Sequence, residues 1–360
     1  MKVALIGVGQ AGGKVAEALA RTDARAGYGA VTSAFAVNTA RADLQSLSID
    51  TQLIGQETAK GHGVGGDNEL GAGVMQEDAT EVMDSLGGRV SSKTEAVFVV
   101  AGLGGGTGSG GAPVLARELS RVYDIPVYAL GILPGRDEGS LYQANAGRSL
   151  KTLAREADSV LLVDNDAWRE SGESVEEGYQ QINDRIAQRV GLLFAAGEAV
   201  EGVAESVVDS SEVINTLRGR GLAAVGYASA AASEDADDNV NAITSVTRNA
   251  LLTGTSLPDA SDADAALLVI AGRPEAISRK GVERARSWVE DETGSLEVRG
   301  GDFPLDSERL ASLVLLGGVE RSPRIDAFME RARQASREQP EQEKTDPTES
   351  LTSDELDGVF

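Results

Sequence analysis

The sequence contains no cysteine and only one histidine, His62. Without thiols the chain can form no disulfide, thiolate metal site or cysteine nucleophile, and one histidine excludes a histidine-rich metal centre. Long apolar runs are also missing, since stretches such as residues 265–271 stop far short of the ~20 residues that a membrane helix needs. The apolar segment at residues 3–6 is too short for a secretory signal. We therefore expect a cytoplasmic protein with no transmembrane segment and no metal held by side chains.

Basic residues are scarce as well, with 33 lysines and arginines against 57 acidic residues and a formal net charge of -24. This balance argues against binding to nucleic acid, which requires a basic surface, and against an anionic membrane surface. The acids are spread along the whole chain and are not confined to a tail. Their spread favours a protein that works in molar salt, where self-repulsion is screened within ~3 Å, over an ordinary acidic surface.

The first half of the sequence alternates between two apolar patterns. Short apolar runs predict strands, several of them buried on both faces, at residues 2–7, 35–37, 96–101, 126–133 and 159–163. Apolar residues at helical spacing predict helices at residues 12–21, 69–86 and 113–123, with Pro113 in a first helical turn. Strands that alternate with helices indicate an α/β fold with a doubly wound parallel sheet.

A long helical pattern then leads into a second, smaller α/β unit. Its apolar residues recur every three or four positions before Gly197: Val175, Tyr179, Ile182, Ile186, Val190 and Leu193. Beyond it, strands are predicted at residues 222–227, 266–271, 296–299 and 312–316, and helices at residues 241–252 and 280–290. Residues 334–360 are rich in Glu, Gln, Pro, Ser and Thr and are predicted to be disordered.

A first glycine motif, residues 7–13 (GVGQAGG), lies between a predicted strand and a predicted helix. It matches G-x-G-x-x-G, which offers backbone N–H groups to a phosphate at a helix N-terminus. A dinucleotide site also needs an acid at the end of the second strand, where this chain has Asn38 and Thr39 and reaches Asp43 only later. A dinucleotide-dependent oxidoreductase is therefore an alternative that this motif alone suggests.

A second glycine motif, residues 102–111 (GLGGGTGSGG), follows a buried strand directly and has seven glycines in ten residues. A flexible linker would not lie between a buried strand and its helix. So many glycines let the backbone wrap around phosphates, with positive φ where it is needed, and Thr107 and Ser109 add hydroxyl donors. No Lys-Ser or Lys-Thr pair ends the motif. A nucleoside phosphate would thus depend on backbone dipoles and a hydrated cation, for which Mg²⁺ is the natural candidate.

Residues 104–110 (GGGTGSG) resemble the signature phosphate loop of tubulin and FtsZ. Other segments resemble the remaining nucleotide loops of that family in the same order: residues 9–12 the first phosphate loop, 61–68 the γ-phosphate loop, 133–139 the sugar loop and 164–166 the base loop. The likeness covers roughly residues 1–330. Gln10, the segment KGHGVGGDNELG and the acidic composition resemble CetZ, the tubulin-like cell-shape proteins of halophilic archaea, with FtsZ proper as the next family.

The resemblance implies a GTP-binding domain at residues 1–173, a core helix at 174–200, a C-terminal α/β domain at 201–330 with a catalytic loop at its start, and a disordered acidic tail at 331–360. GTP or GDP would bind with Mg²⁺ held mainly through phosphates and water. Glu138 would bind the ribose, Asn165 and Asn183 the guanine edge, and Tyr179, on the same helix face as Asn183, would stack on the base. The other implied contacts are Gly9, Gln10, Ala11, Gly12, Gly13, Lys14, Asn38, Gly65, Gly66, Gly104, Gly105, Gly106, Thr107 and Gly108.

Residues 208–213 (VDSSEV) resemble the loop with which one subunit of the family completes the active site of its neighbour. Asp209 and Glu212 are three residues apart at the start of a predicted helix, so both carboxylates can point one way and polarise an attacking water. The same pattern is a helix capping box, which the residues alone favour, whereas the resemblance implies catalysis. FtsZ usually has Asn where this chain has Val207, a departure that concerns the rate more than the mechanism.

The resemblance thus implies a GTP-binding cytoskeletal protein that polymerises head to tail and hydrolyses GTP slowly between subunits, in control of cell shape. An FtsZ-type division GTPase and a nucleotide-binding scaffold with little hydrolysis are the alternatives. The last ten residues, LTSDELDGVF, resemble a docking peptide for a protein partner, although an inert solubilising tail explains them equally well.

Overall fold

A computed structural model describes residues 1–167, 175–196, 208–219, 221–233, 235–260 and 262–338. Within these residues ten strands form one sheet in the order β3-β2-β1-β4-β5-β6-β7-β10-β8-β9. Neighbouring strands are parallel, except that β10 runs antiparallel to β7 and β8. The strands are β1 Val3–Val8, β2 Val31–Asn38, β3 Asp50–Leu53, β4 Ala96–Gly102, β5 Val127–Leu133, β6 Ser159–Asp164, β7 Gly221–Ala231, β8 Asp262–Gly272, β9 Glu297–Pro304 and β10 Arg309–Arg321.

Helices cover both faces of this sheet. Alternate residues of β4 point to opposite sides, so that Phe98 packs with α1 and α7 while Val99 packs with α3, α5, α6 and α11. Both faces of the strand are therefore buried, as its continuous apolar run predicts. The helices are α1 Gly9–Ala26, α2 Arg41–Gln45, α3 Asn68–Glu77, α4 Ala79–Leu86, α5 Gly106–Val122, α6 Ser140–Glu156, α7 Val175–Ala196, α8 Ser210–Leu217, α9 Asn239–Leu252, α10 Arg279–Thr293 and α11 Pro323–Glu338.

The long helix α7 is the centre of one core, as its apolar spacing predicts. Ile182, Ile186, Val190 and Leu193 are buried, and the ring of Phe194 packs on Phe98 with ring centroids 4.8 Å apart. The doubly wound sheet is thereby confirmed. The second unit continues the same sheet, because β7 pairs with β6 in parallel, and it adds its own core among α9, α10 and the strands β7, β8 and β10.

Two helix predictions differ from the structure. The helix expected at residues 69–86 is two helices, α3 and α4, which meet at Asp78, whose carboxylate accepts the N–H of Gly55 at 2.6 Å. Pro113 lies in the middle of α5 and not in its first turn, because the helix already begins at Gly106. Much of the second glycine motif is therefore helical.

The predicted start of the disordered tail is also wrong. Residues 331–338 belong to α11, and the boundary at residue 330 falls inside that helix. Phe328, Ala332 and Ala335 recur at helical spacing and are buried. Ala332 packs so closely on α6 that a Cβ added to Gly147 would lie 2.5 Å from its Cβ. Because α11 also contains many charged residues, its composition alone does not reveal this apolar stripe. Residues 339–360 lie outside the described part of the chain.

Candidate functional site

A cleft of about 920 Å³ lies where the parallel strands β1, β2, β4, β5 and β6 end. This carboxyl edge is where ligands bind in open α/β sheets. The expected nucleotide contacts line the cleft, with the exception of Gly12 and Gly13: Gly9, Gln10, Ala11, Lys14, Asn38, Gly65, Gly66, Gly104, Gly105, Gly106, Thr107, Gly108, Glu138, Asn165, Tyr179 and Asn183. Residues at the ends of these five strands, the loop that contains Gly65 and Gly66, and α7 thus converge on one space.

Gly12 and Gly13 are the exceptions because they pack α1 onto the protein. A Cβ added to Gly12 would lie 2.1 Å from the carbonyl oxygen of Val100, and one added to Gly13 would lie 2.8 Å from Leu47. Both glycines are buried. Their packing gives the remainder of the first motif its position at the end of β1, and their expected contact with phosphate stays a prediction.

The glycines of the second motif are needed for close approach and not for positive φ. No residue between 102 and 111 has a positive φ. Instead, a Cβ on Gly110 would lie 2.0 Å from the carbonyl oxygen of Asn68, and one on Gly106 would lie 2.5 Å from Val64. In the first motif, Gly9 has a φ of +73° and a Cβ there would lie 2.9 Å from the nitrogen of Gly108. At these glycines the two motifs and the third loop approach so closely that no side chain would fit on the glycine itself.

The N-terminal turns of α1 and α5 begin at Gly9 and Gly106, on the edge of the cleft. The first N–H groups of a helix have no partner within the helix and favour an anion. The hydroxyls serve another purpose than expected. Thr107 Oγ1 lies 2.7 Å from Thr39 Oγ1, and the hydroxyl of Ser109 donates to the carbonyl of Gly105. Backbone donors are thus what this edge offers to a phosphate.

The third loop is built on glycines in the left-handed region. Gly63, Gly65 and Gly66 have φ values of +83°, +59° and +86°. Asp67 ends the loop by capping α3, since its carboxylate accepts the N–H of Leu70 at 2.9 Å. His62 is exposed and lines the cleft. Asp67 is thus engaged by the helix cap.

One buried side chain fastens this loop to the glycine motif, and the sequence analysis missed it. Asn145, in α6, donates from Nδ2 to the carbonyl of Gly66 at 2.7 Å and to the carbonyl of Gly104 at 3.0 Å. The helix α6 itself was not predicted, because polar residues such as Gln143 and Asn145 are buried in it and interrupt the apolar spacing. No sequence pattern pointed to Asn145.

The end of the cleft at Asn165, which we call the base end after the family loop that it resembles, is held by an arginine from the far end of the chain. Asn165 is buried between Asp164 and Asp166. Arg324, the second residue of α11, donates to both carboxylate oxygens of Asp164 and, at 2.6 Å, to Asp166. Arg136 also lies 3.4 Å from Asp166. The segment that resembles the base loop is therefore fixed by charge pairs, and its key cation is 160 residues away in sequence.

The remaining cleft contacts come from the sugar-loop segment and from α7. The carboxylate of Glu138 accepts the N–H of Gly135 at 2.7 Å and still lines the cleft. Tyr179 and Asn183 lie one helical turn apart on the face of α7 that borders the cleft, and the ring of Tyr179 is 40% exposed. The exposed ring of Tyr179 and the amide side chains of Asn165 and Asn183 line the same cleft, and together they suit a flat, hydrogen-bonding base.

Asp209 and Glu212 form a capping box at the start of α8. Asp209 Oδ1 accepts the N–H groups of Ser211 and Glu212 at 2.7 and 3.2 Å, and Glu212 Oε2 accepts the N–H of Asp209 at 3.4 Å. The hydroxyl of Ser211 lowers the pKa of Asp209, and burial raises the pKa of Glu212. The capping alternative is thus realised in the single subunit. Val207 lies outside the described residues.

These two carboxylates lie at the opposite end of the sheet from the cleft. The hydroxyl of Ser210 donates to Glu95 at 2.6 Å, and Glu95 also accepts the N–H of Lys2 at 2.7 Å. Lys2 and Glu95 precede β1 and β4, whereas Gly9 and the second glycine motif follow those strands. At about 3.3 Å per residue, β1 separates the two ends by roughly 20 Å. Asp209 and Glu212 therefore cannot act in the cleft of their own subunit.

Among the described residues, no three or more His, Cys, Asp or Glu side chains gather as a metal site, and no helix has the length and apolarity to cross a membrane. The donor set of the cleft suits a polyphosphate. Many of its lining residues are glycines, which present backbone groups. The exposed Lys14 lies near the first motif, and Arg21 is paired with Asp184 at 2.9 Å. A cation at the phosphates would therefore depend on phosphate and water oxygens.

Comparisons with known proteins identify the family. Residues 2–173 match the model of the tubulin/FtsZ family GTPase domain, and residues 172–334 match that of the tubulin-like CetZ C-terminal domain. Over its full length the chain is 70% identical to the tubulin-like protein CetZ2 of Haloferax volcanii, which it also covers completely. The chain belongs to the CetZ family of tubulin-like proteins. The predicted resemblance and fold class are confirmed, and a GTPase domain in this position excludes the oxidoreductase alternative.

Solved CetZ structures have the same fold. CetZ2 from Haloferax volcanii, a GTPγS-bound protofilament, superposes with a TM-score of 0.91 at 71% identity, over 94% of this chain and 99% of that one. CetZ1 from the same organism, a GDP-bound monomer, gives a TM-score of 0.86 at 50% identity, over 93% and 100% of the two chains. The fold of this CetZ-family chain thus resembles that of relatives solved with a guanine nucleotide.

Proposed function

We propose that this protein binds GTP in the cleft, assembles head to tail, and hydrolyses GTP where one subunit docks on the next. The observation that carries the proposal is the opposite placement of two half-sites. The cleft lies at the carboxyl ends of β1 and β4, and Asp209 and Glu212 lie near their amino ends. When subunits stack along this direction, the acids of one face the cleft of the next. The protofilament of its relative CetZ2, bound to GTPγS, supports the same arrangement.

The nucleotide would be held in three regions of the cleft. The first N–H groups of α1 and α5 receive the phosphates, with the charge of Lys14 beside them. Glu138 binds the ribose hydroxyls. Asn165 and Asn183 read the guanine edge, and the exposed ring of Tyr179 stacks on the base. Mg²⁺, held through phosphates and water, would neutralise the phosphate oxygens.

Hydrolysis would need an attacking water in line with the bond between the γ-phosphorus and the β,γ-bridging oxygen. Asp209 and Glu212 from the neighbouring subunit accept hydrogen bonds from this water and orient it. The oxygen of water bonds to the γ-phosphorus as the bond to the bridging oxygen breaks, the proton that water loses passes to the phosphate or to solvent, and GDP and phosphate remain. An isolated subunit lacks half of this arrangement, so turnover depends on assembly.

Head-to-tail contacts of this kind do not close on themselves and build filaments. We propose control of cell shape as the role of the filament, since the sequence resembles cell-shape proteins of this family. A division role of the FtsZ type is the alternative within the superfamily. A scaffold that binds GTP and assembles but hardly hydrolyses is the alternative in mechanism.

The first experiment measures GTP hydrolysis per subunit against protein concentration, in high potassium chloride with magnesium. A shared site predicts a specific rate that rises steeply above a threshold. A concentration-independent rate means that one subunit holds a complete site and that the proposal is wrong. GTP binding without any turnover would instead establish the scaffold.

The matched variants are Asp209→Asn and Asp209→Ala. Asn caps a helix as well as Asp does, so Asp209→Asn should stay within about 1 kcal/mol of the wild-type stability. It removes the charge that orients water, so turnover should fall by at least ~10²-fold while GTP still binds. Asp209→Ala loses the cap as well, and comparing the two separates folding from catalysis. Full turnover by Asp209→Asn would refute the catalytic assignment.

A mixing experiment tests whether the acids act between subunits. A Cβ at Gly105 would have no atom within 4 Å, so Gly105→Asp adds a negative charge to the cleft without a clash and should block nucleotide binding. Gly105→Asp and Asp209→Asn should each be inactive alone. Their mixture should regain turnover, because an intact cleft can meet intact acids. A mixture as inactive as its components would contradict a site shared between subunits.

A further inference from the structure

The first turns of α6 touch both loops that surround the phosphate end of the cleft. Leu141 lies 3.0 Å from the position of a Cβ on Gly66, and Tyr142 lies 3.2 Å from that of a Cβ on Gly104. Asn145, on the next turn, donates one hydrogen bond to the carbonyl of Gly66 and one to that of Gly104. One short segment of helix thus bridges the third loop at Gly66 and the glycine motif at Gly104.

Asn145 suits this position because of its chemistry. Both partners are carbonyl oxygens, which only accept hydrogen bonds, and a primary amide nitrogen supplies two N–H groups without a charge. The side chain is 1% exposed, so no water replaces either bond when the amide is removed. Carbonyls left without a donor in such a place are costly. The loop would relieve that cost by moving towards solvent.

The third loop depends on such an external contact. Gly65 and Gly66 have positive φ, and a Cβ on Gly65 would have no atom within 4 Å. A glycine segment with open space around it has high conformational entropy when it is not held. The bond from Asn145 to Gly66 fixes the loop against the glycine motif before any ligand binds, which lowers the entropy that a ligand must remove.

We propose that Asn145 is a positioning residue that makes the cleft select a nucleoside triphosphate over the diphosphate. The inference rests on the proposed function, in which the glycine motif receives the inner phosphates and the third loop meets the terminal one. Only the terminal phosphate needs the two loops at a fixed distance. GDP binding therefore does not depend on Asn145, whereas GTP binding does.

The test compares the dissociation constants of GTPγS and GDP for the wild type and for Asn145→Leu, below the assembly threshold. Leucine has nearly the branched shape of asparagine but is somewhat larger and has no donor. The two lost hydrogen bonds predict about tenfold weaker GTPγS binding, with GDP affinity changed by less than about twofold. Equal weakening of both nucleotides would show a merely structural role and overturn the proposal, as would no change in either.

A second variant and a control distinguish the proposed role of Asn145 from an effect of misfolding. Asn145→Ser introduces no extra volume, and its hydroxyl can donate to only one carbonyl. It should therefore also weaken GTPγS binding selectively, but by a smaller factor than Asn145→Leu. Ser149→Ala is the control in the same helix. Ser149 is buried one turn further on, and its hydroxyl has no hydrogen-bond partner among the described residues. Its removal should leave the ratio of the two affinities unchanged, and a shift equal to that of Asn145→Ser would overturn the proposal.

The proposed function and the proposed role of Asn145 can be refuted separately. If the wild type binds neither GTPγS nor GDP, the proposed function is wrong and this inference falls with it. If the wild type binds GTPγS more tightly than GDP and Asn145→Leu keeps that preference, only the role of Asn145 is refuted. Retained GDP affinity in the variants shows that they are folded.

Discussion

Arg324 offers the sharpest test of how the base end of the cleft is held. Its guanidinium pairs with Asp164 and Asp166, and the side chains of Arg324 and Asp164 are only 6% and 2% exposed. Substitution by methionine keeps the apolar length of the side chain and removes the charge. It leaves the carboxylate of Asp164 buried without its cation, a change that typically costs about 3–5 kcal/mol.

The corresponding loss of thermal stability is roughly 4–7 °C for a chain of 360 residues. It is measured by circular dichroism in high salt, with the dissociation constant of GDP measured on the folded variant. Since Asn165 lies between the two carboxylates, nucleotide affinity should fall together with stability. Replacing Asp164 by Asn in the same chain removes the stranded charge and should recover part of the stability.

The matched control is Arg273→Met, which removes an exposed pair. Arg273 and Asp306 lie 3.1 Å apart, but their side chains are 46% and 95% exposed. Exposed pairs contribute about 0–1 kcal/mol and are screened by salt, so this variant should be close to wild type in high salt. If Arg324→Met lost no more stability than Arg273→Met, the reasoning about the buried clamp would be refuted.

Two further predictions concern the proposed catalytic acids and the glycine motif. Burial raises the pKa of Glu212 above its usual 4.5, while hydrogen bonding lowers that of Asp209. As the pH falls, Glu212 therefore takes up a proton before Asp209 does. The rate of hydrolysis should begin to decline at a pH above 4.5, while GTP remains bound. A parallel loss of hydrolysis and of GTP binding would contradict this prediction. Because the raised pKa favours the protonated folded form, this group contributes stability at low pH that is lost as the pH rises through its folded pKa. Gly110→Ala would put a Cβ 2.0 Å from the carbonyl of Asn68 and should cost about 1–3 kcal/mol in denaturant unfolding, whereas Gly105→Ala, with open space, should be close to neutral; equal losses would refute the packing argument.

The sequence predicted those elements whose burial leaves a regular pattern. The strand at residues 96–101 reads as a continuous apolar run because both of its faces are covered, and α7 reads as a helix because one stripe of it is buried. In α6 the rule fails, because Asn145 and Ser149 are buried polar residues on the side where apolar ones were expected. In α11 the apolar stripe is surrounded by charges, and composition alone suggested disorder.

The cleft was predictable to the extent that backbone chemistry dictates residue type. Glycines mark close approach whether it serves a ligand or packing, so the sequence could not separate Gly12, which packs on Val100, from Gly9, which faces the cleft. Long-range ion pairs could not be predicted from the sequence, for another reason. Nothing near Arg324 in the sequence indicates that its partners lie before residue 167, since only the folded sheet brings α11 beside β6.

The carboxylates of α8 show why one sequence pattern supported two interpretations. All three hydrogen bonds that Asp209 accepts in the cap end on its Oδ1, from two backbone N–H groups and the hydroxyl of Ser211. Its Oδ2 takes no part in the cap and can accept a bond from water. Glu212 contributes only a long bond of 3.4 Å through Oε2. The cap therefore orients the two carboxylates that the proposed mechanism needs, so that in this proposal capping and catalysis use one geometry.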